Sequence, residues 1–307
     1  MQLKAIVTGG TGFIGQHLTA RLLKEGMDVL VIDLEDLPRS TTKPEGEVPP
    51  GHCFFDLVNI TNYNAVNDAV ERFKPNMVFH LAAMSRVGQC EEDPNKAMDV
   101  NVGGAFNVIL AAARHGAEKV LMVSSSAVYG DGPNCIRCKP KPMGQYAKTK
   151  AGMEGLVESF ASEKMEVNIV RPFNVYGPGG ESVVDKFLAN ALQQCPLTIN
   201  GDGNQSRDFI HVDDVVEAFW TVMMKRFIDR MNPLKVWNVG SGQSYSVLEV
   251  ANMVDPADCL GVHWEDKPIN EPSKTQAILD DQWADLWEPT IQLPLWIEDQ
   301  LEQGMKQ

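Results

Sequence analysis

The eight residues TGGTGFIG (8–15) stand between an apolar run, KAIVTG (4–9), and a segment of 3.6-residue periodicity over 13–25. Gly10, Gly12 and Gly15 form the pattern Gly-x-Gly-x-x-Gly, with Gly9 just ahead of it. Glycines so spaced permit a tight strand-to-helix turn. They also let backbone N–H groups at a helix N-terminus approach a pyrophosphate. A glycine triplet alone says little; a strand before it and a helix after it give it meaning. Few folds accommodate that sequence of elements, and the remainder of the chain narrows the choice.

Further short apolar runs follow: DVLVIDL (28–34), CFFDL (53–57), MVFHLAA (77–83), KVLMVSSS (119–126) and VNIVRP (167–172). Their nearly continuous hydrophobicity is that of strands buried on both faces. Helical periodicity over 63–73, 95–114 and 146–162 separates several of them. Repeated strand–helix–strand order predicts an α/β fold with a parallel, doubly wound sheet. Beyond about residue 177 the rhythm changes. LTIN (197–200), VWNVG (236–240) and AILD (277–280) read as short strands, among helices near 183–193, 213–226, 246–254 and 295–303. The expected division is a dinucleotide-binding domain over 1–177, to which 211–240 returns, and a smaller α/β substrate lobe over 178–307. LPRSTTKPEGEVPPG (37–51) reads as a surface loop.

With 307 residues and 44% hydrophobic content the chain can bury a large core. A net charge of −14 leaves no basic footprint for nucleic acid or an anionic membrane. An anionic ligand must then be met by local cations and backbone N–H groups. The longest apolar-leaning stretch, 101–113, is too short to span a bilayer, and the first ten residues lack a signal-peptide core. The expectation is a cytoplasmic protein whose 6 cysteines are reduced thiols. CIRC (135–138) has CxxC spacing, but no second pair completes a zinc site, and no metal is expected.

Two sites of chemistry stand out. Asp33 ends the second run, where an acid accepts hydrogen bonds from the adenosine ribose; a carboxylate there repels a 2′-phosphate and favours NAD over NADP. Tyr146 and Lys150 are one helical turn apart on one face. A free tyrosine has a pKa of ~10, and ionising it near neutrality takes ~3 units, roughly 4 kcal/mol. A neighbouring ammonium and a positive nicotinamide ring have the right sign to do so. SSSAVYG (124–130) supplies hydroxyls at the end of the fifth run, an edge where ligands bind in open α/β sheets.

TGGTGFIG, FFDL, HLAA, SSSAVYG, YAKTK, RPFNVYGPG and RDFIHVDDVVEA occur in one order along nearly the whole chain. In this the sequence resembles the extended short-chain dehydrogenases/reductases of the NAD-dependent nucleotide-sugar epimerase/dehydratase type, which implies a Rossmann-type sheet. The resemblance implies that Gly9, Gly12, Phe13, Ile14 and Gly15 cover the pyrophosphate and that Asp56 and Leu57 meet the adenine. Leu81, Ala82, Ala83 and Ser85 would line the cofactor past the fourth strand. Asn101 would sit near the nicotinamide and Phe173 would contact the cofactor after the sixth strand. Tyr146 and Lys150 would touch cofactor as well as act in catalysis with Ser125. Ser126, Asn174, Arg207 and Lys267 would face the sugar nucleotide, Arg207 gripping its diphosphate.

Related 4,6-dehydratases carry an acidic pair where this chain has Ser126 and Ala127, and 3,5-epimerase/reductase relatives place a reactive cysteine nearby, where this stretch has none. The later family arginine stands here as Lys267, a point charge without the guanidinium fork. What remains is oxidation and reduction at one carbon. The expected activity is NAD-dependent 4-epimerisation of a nucleotide-diphosphate sugar through a 4-keto intermediate. A 4-keto-sugar reductase is the alternative, and a non-catalytic dinucleotide sensor a rival from another class. The resemblance also implies a homodimer formed through 95–114 and 146–162, where Gly103, Gly104, Ala147 and Ala151 are small.

Overall fold

The computed structural model describes residues 2–35, 50–131, 134–224, 232–266, 272–279, 283 and 286–304. Its strands are β1 (Lys4–Thr8), β2 (Asp28–Asp33), β3 (Cys53–Leu57), β4 (Met77–His80), β5 (Lys119–Val123), β6 (Glu166–Pro172), β7 (Asn174–Tyr176), β8 (Leu197–Asn200), β9 (Ser206–His211), β10 (Leu234–Val239), β11 (Ser244–Ser246) and β12 (Val262–Glu265). Its helices are α1 (Phe13–Lys24), α2 (Tyr63–Phe73), α3 (Val87–Glu92), α4 (Pro94–Met98), α5 (Ala105–Arg114), α6 (Gly144–Val157), α7 (Val183–Leu192), α8 (Val212–Met224), α9 (Val247–Val254) and α10 (Leu293–Gly304).

Seven strands form one parallel sheet in the order β10-β6-β5-β4-β1-β2-β3. β1, β4, β5 and β6 lie inside it, and the continuous apolar runs that predicted them are buried on both faces. On one face Leu18 and Leu22 of α1 pack with Val215, Phe219 and Val222 of α8. On the other, Val66 and Val70 of α2, Val108 and Ile109 of α5 and Met153 and Val157 of α6 form a second core. The chain order reverses between β1 and β4, which opens a crevice at their C-terminal ends.

A smaller unit holds β7, β9 and β11 in one sheet and the parallel pair β8–β12 beside it. Its core joins Phe187 of α7, Ile199 of β8, Phe209 of β9, Val250 of α9 and Ile297 of α10. Capping boxes start α7 and α9, Ser182 with Asp185 and Ser246 with Glu249, each satisfying two otherwise orphaned amides. The chain leaves this unit at α8 and β10, and β10 pairs with β6 in the large sheet.

Three expectations meet a different structure. The helix expected over 95–114 is interrupted by a π-helical turn, Asp99–Gly104, between α4 and α5. The described residues of AILD, 277–279, form no strand: Ala277 donates its N–H to Asp208 and Ile278 to the Asn134 carbonyl, so this backbone is tied to loops rather than to a ladder. The six cysteines are not all thiols, because Cys135 and Cys138 form a disulfide. Residues 37–49 of the expected surface loop lie outside the described residues, as does Lys267.

Candidate active site

The glycine turn sits at the switch point. Gly9 has φ 73°, and a Cβ there would lie 2.6 Å from the Ala82 nitrogen, so β1 meets the segment after β4 with no room for a side chain. A Cβ on Gly15 would fall 2.1 Å from the Gly9 carbonyl oxygen, which is why α1 can start so close to β1. At Gly12, the N-cap of α1, a Cβ would meet only that same carbonyl at 3.3 Å. The space in front of this helix N-terminus is open, the requirement for a pyrophosphate. Phe13 packs edge-on against His17, and Gly179 of the loop after β7 lies beside its ring.

Asp33 closes one end of the crevice. Its carboxylate accepts from the Thr11 amide (3.0 Å), the Thr11 hydroxyl (2.6 Å) and the Leu34 amide (2.7 Å), which fixes it against the glycine turn. The register pairs Ile32 with Asp56 and Asp33 with Leu57, so all three predicted adenosine residues share one corner of the sheet. Asp56 is ion-paired with Arg72 of α2, and Leu57 is exposed. On the other side of β1, Leu81 donates to the Thr8 carbonyl, which keeps Leu81, Ala82 and Ala83 along the crevice and leads to exposed Ser85. The next residue, Arg86, ion-pairs with Glu181 of the loop between β7 and α7. Asn101, in the π turn, spends its amide on both backbone groups of Met84 and on the Thr149 hydroxyl of α6. It thereby ties the segment after β4 to α6.

The catalytic candidates meet where α6 crosses the end of β5. Tyr146 shares a hydrogen bond with Ser125. Lys150 is buried and donates to the Val123 carbonyl at 2.8 Å. Ser125 caps the 3₁₀ turn Ser126–Tyr129, its Oγ accepting from the Ala127 amide at 3.2 Å. α6 has no side-chain cap of its own; the Glu91 carboxylate of α3 accepts from Gln145 at 2.7 Å, one residue before Tyr146. Ser126 is buried in the turn.

Ionisation differs from the expectation. Burial pushes Tyr146 up to about 12, with the Ser125 hydrogen bond acting against it. Burial also pulls Lys150 down to about 8, opposed by the Glu154 carboxylate. The protein by itself therefore holds a neutral tyrosine beside a lysine that is cationic only below about pH 8. His80, bonded to the Thr8 hydroxyl at 2.7 Å, is pulled down to about 3 by burial first and by the Lys150 charge second. The Cys90 thiol of α3 is pushed up by burial. Sequence reasoning found no cysteine in the stretch after Ser125; the fold brings Cys90 to the Tyr146–Lys150 cluster from a different element.

In the smaller unit Asn174 begins β7 and donates to the Asp208 carbonyl at 3.3 Å. Arg207 on β9 is buried, not the exposed ion pair of an ordinary surface arginine. Phe173 is buried in a small core with Val128, Tyr129 and Ala277, stacked on Tyr129. Asp208, which sequence reasoning passed over, is fully buried and accepts from the amides of Ser241, Gly242 and Ala277 and from the Ser241 hydroxyl. It anchors the turn after β10 and the backbone at Ala277 to β9, next to Arg207 in sequence. Glu154 and Arg171 were also missed, although Glu154 lies four residues past Lys150 on the same helical face. No described helix is long and apolar enough to cross a membrane.

The model of the NAD dependent epimerase/dehydratase family matches residues 5–240. The UDP-N-acetyl-alpha-D-glucosaminuronate decarboxylase of Bacillus cytotoxicus is 32% identical over 264 residues, 82% of this chain and 79% of that protein. The UDP-glucuronate 4-epimerase of Thermodesulfobacterium geofontis is 29% identical over 323 residues, 98% of this chain and 93% of its own. The solved structure of MoeE5 in complex with UDP-glucuronic acid and NAD superposes with a TM-score of 0.86 at 28% identity, covering 99% of each chain.

Proposed function

The chain belongs to the NAD dependent epimerase/dehydratase family, and on that premise we propose that it is an NAD-dependent 4-epimerase of a nucleotide-diphosphate sugar. The observation that carries this reading is the hydrogen-bonded Tyr146–Ser125 pair over the buried Lys150, at the sheet edge beside the glycine turn.

The residues present fit the cofactor. The open space at Gly12 suits a pyrophosphate, and Asp33 stands ready for ribose hydroxyls. NAD, when bound, supplies a hydride acceptor that can also return the hydride. Tyr146 takes the proton of the sugar 4-hydroxyl and later gives one back; Ser125 holds that hydroxyl in line. Lys150 contributes a positive charge that favours the tyrosinate and a donor for the nicotinamide ribose. Arg207 and Asn174 hold the sugar nucleotide from the smaller unit, the guanidinium suiting diphosphate oxygens. Ala127 offers no acid or base where elimination of water would need one. Met98 at the end of α4 and Phe106 at the start of α5, both exposed, favour a homodimer through this run.

The test uses protein as purified, with no added nicotinamide, and a set of UDP-, GDP- and dTDP-hexoses and hexuronates. A product of unchanged mass with inverted C4 supports the reading. Loss of water or of carbon dioxide, read by mass, replaces it with dehydration or decarboxylation.

A further inference from the structure

Three residues on one face of α6 clasp three consecutive residues at the end of β5. Tyr146 bonds Ser125, Lys150 donates to the Val123 carbonyl, and Glu154 accepts from the Ser124 hydroxyl at 2.5 Å. Of the three, Glu154 is the most elaborately held. Arg171 of β6 grips its carboxylate with two parallel bonds, Nε to Oε1 at 2.9 Å and Nη2 to Oε2 at 2.6 Å. Both side chains are buried, 9% and 4% exposed. The remaining Arg171 nitrogen donates to the Tyr129 hydroxyl, which donates to Asn238 of β10; Asn238 in turn donates to the carbonyls of Asn134 and Ile278. A buried ion pair is a poor source of stability, since the desolvation of two charges offsets their attraction. Its placement beneath the catalytic helix invites another role.

We propose that Glu154 is a positioning residue for Lys150: clamped by Arg171 and Ser124, it keeps the lysine ammonium charged and sets the register of α6 against the end of β5. This rests on the reading of Tyr146 and Lys150 as the cofactor-linked pair. The groups facing Lys150 are Glu154 from α6, with Arg171 of β6 behind it, His80 from β4, Cys90 from α3 and the Val123 carbonyl from β5, and Tyr146 lies one helical turn before it. Burial leaves Tyr146, His80 and Cys90 neutral around pH 7. The Arg171-paired carboxylate is then the negative charge that opposes the desolvation of Lys150. Without it the lysine pKa falls further, and its positive charge is lost at a lower pH as pH rises.

The test compares native protein with Glu154→Gln and with Glu154→Gln/Arg171→Gln. The single variant strands a buried guanidinium and lowers Tm; the double variant removes both charges and keeps the fold testable. Lysine 13Cε resonances are titrated, with Lys150 assigned by its absence in Lys150→Arg. The expected result is a Lys150 midpoint near 8 in the native protein, moved down by about 1 unit or more in Glu154→Gln and by less in the double variant, which also loses the opposing Arg171 charge. An unchanged midpoint in both folded variants overturns the proposal. NAD titration over the same pH range is the companion measurement, and affinity falls with the lysine charge. A lysine midpoint that moves while NAD affinity keeps its pH profile supports the role of Glu154 and counts instead against Lys150 as the cofactor ligand.

Discussion

Removing one oxygen, Tyr146→Phe, probes the proton transfer directly. The ring stays in place, and only the hydroxyl that bonds Ser125 is lost. With Tyr146 pushed up to about 12 in the protein alone, the tyrosinate fraction near neutrality is on the order of 10⁻⁵. Bringing it to half ionised takes ~5 units, about 7 kcal/mol of differential stabilisation. Lys150, one turn away and itself pulled down to about 8, is a weak source of that much charge. The oxidised nicotinamide ring is the remaining cation, so the tyrosine ionises mainly in the NAD-loaded protein. Turnover then falls as pH drops through the lowered tyrosine pKa, because the base must be deprotonated. Tyr146→Phe is expected to cut kcat by about 10²–10⁴-fold while NAD still binds. The assay is kcat against pH, with phenolate absorbance of native minus variant protein titrated in NAD and in NADH. The phenolate should form at a much lower pH with NAD. A variant keeping more than about half its turnover removes Tyr146 as the general base. Identical phenolate titrations with both forms refute the assignment of the charge to the oxidised ring.

Asp33→Ala should narrow a native preference for NAD over NADP, by releasing the 2′-phosphate repulsion and freeing Thr11; equal native affinity for the two, by calorimetry, contradicts the assignment. Unfolded without reductant, the protein should expose four reactive thiols, and six after reduction; six without reductant removes the Cys135–Cys138 bond.

Much of the large sheet was legible because β1, β2, β4 and β5 are nearly continuous apolar runs, a pattern that strands buried on both faces impose. The glycine turn was legible for the same kind of reason: Gly9 and Gly15 stand where a Cβ would collide with backbone. The smaller unit was harder. β7 and β11 have three residues each, and their pairing with β9 depends on partners more than thirty residues away. AILD has strand composition, but the buried Asp208 and the Asn134 carbonyl claim its amides first. At the site, helix periodicity placed Tyr146 and Lys150 together and would have added Glu154. Arg171, Tyr129 and Asn238 come from a strand, a turn and a second strand, and no local pattern joins them. Burial, which the sequence does not display, raises Tyr146 in the protein alone, and the opposing contribution there is the Ser125 hydrogen bond.

The central claim is that hydride leaves and returns to the same carbon. It is tested most directly with a nucleotide-diphosphate hexose deuterated at C4, incubated with the protein as purified and no added NADH. The account predicts a 4-epimer that keeps the deuterium at C4, with no lasting rise in NADH absorbance and with turnovers exceeding the cofactor carried. If no 4-epimer forms, and a 4-keto sugar is instead reduced in proportion to the NADH supplied, the protein is a reductase and the redox-neutral account is contradicted.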